Sequence, residues 1–162
     1  MRHILLVGLV LMVLSTDAVA QPETDWSSPT RPQTLTECGR SDGYAYYFQG
    51  GFVPADKSGW KKDGITAGRI ILNYANTEID LMVKDATGTT KSVKQDGGQV
   101  ILRKSNNGLI ALTVIYNEGA VSEDYVFQVT DRGEGMVVWT RMVTAGNVNR
   151  MSLMTAQCRG PR

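Results

Sequence analysis

Gly43-Tyr44-Ala45-Tyr46-Tyr47-Phe48-Gln49 is the stretch on which the fold turns. Read with a period of two, it places Tyr44, Tyr46 and Phe48 on one face of a strand and Ala45, Tyr47 and Gln49 on the other. Aromatic side chains suit a pleated, half-buried surface. The segment therefore reads as the first core strand of a β-rich domain. Its aromatic wall would face the interior, and part of it would line a cavity.

Further segments of the same kind follow it. Arg69 to Tyr74 is rich in Ile and Leu, and Glu78 to Asp85 alternates, with Ile79, Leu81 and Val83 on one side and Asp80, Met82 and Lys84 on the other. Lys91 to Gln95, Gln99 to Lys104, Leu109 to Tyr116, Tyr125 to Thr130, Met136 to Val143 and Val148 to Gln157 complete the series. Leu109 to Tyr116 is apolar on both faces except at Thr113, which predicts a strand buried on both sides. Asp96-Gly97-Gly98, Ser105-Asn106-Asn107-Gly108, Asn117-Glu118-Gly119 and Asp131-Arg132-Gly133-Glu134-Gly135 are turn signals between them. About 8–9 short strands at this spacing predict a single all-β antiparallel domain, an up-and-down β-barrel, with a two-sheet β-sandwich as the alternative.

Gly50 to Gly64 breaks this rhythm. Glycines, Pro54 and charges mark it as a long irregular loop, which in a compact domain usually has a function. It carries two large apolar residues, Phe52 and Trp60, and a basic pair, Lys61 and Lys62.

The two cysteines, Cys38 and Cys158, bracket the strand region. In an oxidising compartment they are expected to form one disulfide, joining the first strand to the last and removing the sheet edges. The start of the chain agrees with such a compartment. Met1-Arg2-His3 is followed by the apolar run Ile4 to Leu14 and by Ala18-Val19-Ala20, the pattern of a cleavable secretory leader over residues 1–20. That apolar run is shorter than the roughly 20 residues a membrane-spanning helix needs. Residues 21–37 hold Pro22, Pro29 and Pro32 and read as a flexible lead-in; 38–158 is the domain and 159–162 a short tail. The destination is read as periplasmic or secreted.

Composition narrows the chemistry. The formal net charge is +1, which gives no reason to expect nucleic acid as a partner. The single histidine is His3, within the leader, so a Ser-His-Asp or Cys-His nucleophile has no base in the processed chain. No metal site and no cofactor are expected. A carboxylate-based hydrolase is the one enzymatic exception, drawn from Asp80 and Asp85, Glu123 and Asp124, or Asp131 and Glu134.

Met136, Val138, Thr140 and Met142 share one face of the penultimate strand, and Val137, Trp139, Arg141 and Val143 the other. An arginine on an apolar face should find a carboxylate, an aromatic ring or an anionic ligand. The reading is thus a small, exported, monomeric, non-catalytic binding module. Tyr44, Tyr46, Phe48, Trp139, Arg141 and Met142 would line a cavity for a small apolar or amphipathic ligand. The alternative is a protein-interaction module, an inhibitor of an exported enzyme or an envelope assembly factor, acting through the 50–64 loop with Phe52, Trp60, Lys61 and Lys62.

Overall fold

The computed structural model describes residues 33–84 and 88–161. The leader, the lead-in up to residue 32, residues 85–87 and residue 162 lie outside the described residues. The fold is all-β. The strands are β1 (Gln33–Tyr47), β2 (Gly59–Ile65), β3 (Arg69–Ala75), β4 (Glu78–Lys84), β5 (Thr90–Ser92), β6 (Gln99–Asn106), β7 (Leu109–Tyr116), β8 (Val121–Val129), β9 (Gly135–Val143) and β10 (Arg150–Arg159).

Nine of them lie in one antiparallel sheet in the order β5-β4-β3-β1-β10-β9-β8-β7-β6, and β2 joins β1 off that path. Apart from β2 and the break between β5 and β6, neighbours in sequence are neighbours in the sheet, and the last strand returns to the first. This is up-and-down order in a single curled sheet, a half-barrel rather than two facing sheets. Among the described residues no ladder joins β5 to β6, so those two edges survive the disulfide, contrary to the expectation that it would remove them. The short β5 cannot template a long neighbour. The exposed β6 carries a bulge between Leu102 and Lys104 together with Arg103 and Lys104, the usual protections of an open edge.

β1 begins at Gln33, five residues ahead of Cys38 and inside the stretch read as a lead-in. It pairs with β10 along one side. On the other side Gln33 to Cys38 pairs with β3, whereas Ser41 to Tyr47 pairs with β2. The change of partner coincides with a register shift between Cys38 and Ser41. A bulge adds a residue to one strand and bends it, and here the bend sends β2 and β3 apart as a fork. β2 falls in the segment read as irregular loop. Its residues are mostly exposed on both faces, so it has no apolar alternation, and its backbone ladder to β1 is what makes it a strand.

Cys38 and Cys158 face each other in register and are joined, with their α-carbons 3.8 Å apart. The core lies on the concave side. Ile70, Leu72 and Tyr74 of β3, Ile79 and Leu81 of β4, Ile110, Leu112 and Val114 of β7, and Val137 of β9 pack there around the fully buried Phe127 of β8. The ring of Tyr125 stacks between Phe127, at 6.1 Å, and Trp139, at 5.9 Å. β7 has no exposed residue, but burial alternates along it, deepest at Ile110, Leu112 and Val114. Thr36, fully buried, donates its hydroxyl hydrogen to the Gly133 carbonyl at 2.6 Å and so fixes the 130–134 turn against the start of β1.

Because both sulfurs are buried, a thiol reductant should leave the bond intact in the native protein and cleave it only when denaturant is added. Mass analysis after alkylation checks this. The loop spans 120 residues; replacing both cysteines by serine should lower the unfolding free energy by up to about 4–5 kcal/mol in a denaturant titration.

Candidate functional site

The convex and concave faces of the β2-β1-β10-β9 region offer different surfaces. In an antiparallel ladder, residues directly opposite each other point to the same side. Trp60 stands opposite Tyr46, Tyr46 opposite Met151, and Met151 opposite Met142. The adjoining row runs from Lys62 through Tyr44 to Leu153. These side chains are on the outside. Tyr44 is 58% exposed and Trp60 57%, and Phe48, Met142 and Leu153 are exposed as well. The Tyr46 ring meets Phe48 edge-on at 5.1 Å and Trp60 at 5.5 Å, so the aromatics support one another without a cover. Phe52, 76% exposed, is on the loop between β1 and β2, which its own N–H anchors to the Asn147 carbonyl. Lys62 borders the patch, whereas Lys61, opposite Ala45, points to the other side of β2; among the described residues neither has a carboxylate partner.

The concave face of the same strands is lined by small side chains. Ala45 is fully buried, and Gly43 lies against β10 so closely that a β-carbon there would meet the Leu153 carbonyl oxygen at 2.1 Å and the Met154 sulfur at 2.8 Å. The aromatic wall is therefore turned outward, opposite to the direction expected from the sequence. Alternation defines two faces but not which of them is inside.

One polar group does reach the interior. Glu123 and Arg141 stand opposite each other on β8 and β9, one step along from the stacked Tyr125 and Trp139. Glu123 is buried. It accepts a hydrogen bond from the Tyr125 hydroxyl at 2.6 Å, and its other oxygen lies 3.1 Å from Arg141 Nε. That second contact is an ion pair without hydrogen-bond alignment, because the buried Nε has no hydrogen-bond acceptor. The Arg141 side chain is 40% exposed, so its exposed part lies beyond Nε. On one side the pair borders a cavity of about 370 Å³, lined also by Val83, Lys91, Asp96, Tyr116 and Val121. On the other it borders a crevice of about 60 Å³ at the fork between β2 and β3.

The residues read as one ligand set are thus divided. Trp139 and Arg141 point inward; Tyr44, Tyr46, Phe48 and Met142 belong to the outer surface. Phe52, Trp60, Lys61 and Lys62 are all exposed, but Trp60, Lys61 and Lys62 sit on strand β2 rather than on a loop, and Lys61 points to the side away from Trp60 and Lys62. The carboxylate pairs do not converge: Glu123 is buried while its neighbour Asp124 is exposed, and Asp131 and Glu134 sit exposed in a turn. Asp80 accepts a hydrogen bond from Ser92, and Asp85 lies outside the described residues. Among the described residues no group of three His, Cys, Asp or Glu side chains is placed to hold a metal ion. The outward sense of Met142, the place of Met151 opposite it and the role of Glu123 as partner of Arg141 were not assigned from sequence. The odd placement of Arg141 was the only signal for the latter.

Burial raises the Tyr116 phenol to about 12, and the Glu123 carboxylate adds to the effect. Tyr125 is held well above the ordinary tyrosine value, first by burial and then by the same carboxylate. A raised value in the folded state means that the neutral phenol is favoured by folding. This contribution to stability is complete below the unfolded value of about 10 and is lost as pH rises through the folded values. Of the six tyrosines, Tyr116 should ionise late in a phenolate-absorbance titration of native protein, and Tyr125 only as the fold opens. In denaturant all should titrate together. Simultaneous titration in the native protein would contradict this placement.

Comparison with models of known protein families, with curated proteins and with solved structures finds no match for this chain.

Proposed function

We propose that this is an exported, non-catalytic protein-interaction module, and that the outer face built from Trp60, Tyr46, Tyr44, Phe48, Met142 and Leu153, extended by Phe52, is its contact surface. The observation that carries this reading is the contiguity of the exposed aromatics on strands whose other face is core. Contiguous apolar surface of this kind marks interaction sites, and Trp, Tyr and Met are the residue types enriched at interface centres. The occupant is a protein with an apolar ridge bordered by Asp or Glu, because Lys62 stands in the outer row beside Tyr44 without a partner among the described residues. A carboxylate opposite it would speed encounter and fix orientation. The buried disulfide supports residence in an oxidising compartment, to which residues 1–20 would direct the chain. A histidine-free processed chain with dispersed carboxylates supports a non-catalytic role. Stacked rings fill the interior beneath β8 and β9, and the cavity beside them is bordered by Lys91, Asp96, Glu123 and Arg141, charges that suit an apolar ligand poorly.

Trp60→Ala, Phe52→Ala and the charge reversal Lys62→Glu change exposed side chains and should leave the thermal unfolding midpoint nearly unchanged. Immobilised wild-type protein should retain a partner from the envelope and secreted fractions of the cells that make it. Retention should fall at higher salt, and both the Trp60 and the lysine variants should lose it. Retention indifferent to the charge reversal would overturn this reading. So would concentration-dependent self-association in sedimentation, or flotation with anionic lipid vesicles, if Trp60→Ala abolished it; those outcomes would assign the face to a second copy or to a membrane.

A further inference from the structure

The cavity beside the Glu123–Arg141 pair has features that a simple packing defect lacks. Arg141 is carried inward by β9, next to Trp139, where an apolar side chain would satisfy packing. Glu123 is buried to meet it, and burying a carboxylate is costly without partners. Tyr125 and Arg141 supply those partners, yet Glu123 meets the guanidinium at Nε. Among the described residues, no acceptor is bound to the terminal guanidinium nitrogens. The Tyr116 hydroxyl, which lines the same cavity, also has no hydrogen-bond partner among the described residues. It stays protonated throughout the physiological range, and so remains a donor.

The other charged groups at the cavity are already matched. Lys91 pairs with Asp96 at 3.0 Å, and Glu123 is taken up by Arg141 and Tyr125. What is left over is donor capacity: a planar guanidinium edge and a phenol over an apolar wall of Val83 and Val121. A guanidinium edge matches a carboxylate through two parallel hydrogen bonds. The nearby Glu123 and Asp96 oppose a doubly charged anion such as phosphate and tolerate a single negative charge. The volume of about 370 Å³ falls at the small end of the range of about 300–1,000 Å³ typical of ligand sites. We infer that this cavity binds a small organic monocarboxylate, held by Arg141 with Tyr116 as a second donor. The site lies on the concave side and is independent of the outer aromatic face.

Amide and arginine side-chain NMR of the intact, oxidised protein tests the assignment. The probes are N-acetylglycine, which offers one carboxylate; N-acetylglycinamide, which has the same body without it; and inorganic phosphate. N-acetylglycine should shift Tyr116, Val121 and the Arg141 Nε–H in a saturable way, and N-acetylglycinamide should not. Arg141→Lys keeps the charge but loses the planar fork, and should weaken binding about tenfold. Tyr116→Phe should weaken it severalfold while leaving Glu123 and Arg141 undisturbed, so that one variant remains informative if the other perturbs the fold. Equal response to the amide, tighter binding of phosphate, shifts confined to surface lysines, or affinity unchanged in both variants would overturn the assignment.

Discussion

The ladder between the first and last strands is the interaction on which the other features rest. Cys38 and Cys158 fix its register at one end, and Tyr47 opposite Arg150 closes it at the other. Between these points β1 bends at the bulge that precedes Ser41 and exchanges β3 for β2 as its second neighbour. The exchange opens the fork and its crevice beneath Arg141. It also extends the convex surface by the width of one strand, and that strand brings Trp60 into contact with Tyr46. Without β2, Tyr44, Tyr46 and Phe48 would lie along an unpaired edge.

The two faces of this sheet differ in physical character. The inner side works by exclusion: Phe127, Tyr125 and Trp139 occupy the volume, and Gly43 and Ala45 let β1 sit close to β10. Glu123 with Arg141 is a polar row placed where that packing stops. A pair of this kind contributes little net stability when desolvation is set against attraction. Its retention at the margin of the core fits a requirement for an oriented guanidinium better than a requirement for stability. The outer side works by exposure, since its aromatic rings touch one another edge-on and still leave their faces to solvent.

Much of the architecture was legible in the chain because period-two alternation and glycine-marked turns are local signals. Ile79, Leu81 and Val83 announce β4 in this way, and the two cysteines point to the meeting of the ends. β2 was not legible: Gly59–Ile65 has no buried stripe, and its identity as a strand comes from a partner far away in sequence. The inward or outward sense of Tyr44, Tyr46 and Phe48 was not legible either. It depends on Met154 occupying the space over Gly43, a long-range fact that alternation does not encode. Arg141 was conspicuous as a charge among apolar neighbours, but the identity of its partner follows from the registry of β8 with β9.

The adjacency of β1 and β10 also sets an order of events. A helical domain can settle segment by segment as it emerges, because its contacts are local. Here β1 meets β2 and β3 early along one edge, but its other edge finds its permanent neighbour only in β10, across an intervening loop of 120 residues. Hairpins such as β8–β9 can form early, but the curled sheet closes only when both ends are present together. During that wait β1 offers an unpaired, tyrosine-rich edge of the kind that recruits other strands. That edge must be kept apart from its copies until Cys158 arrives, and oxidation of the pair then makes the closure permanent.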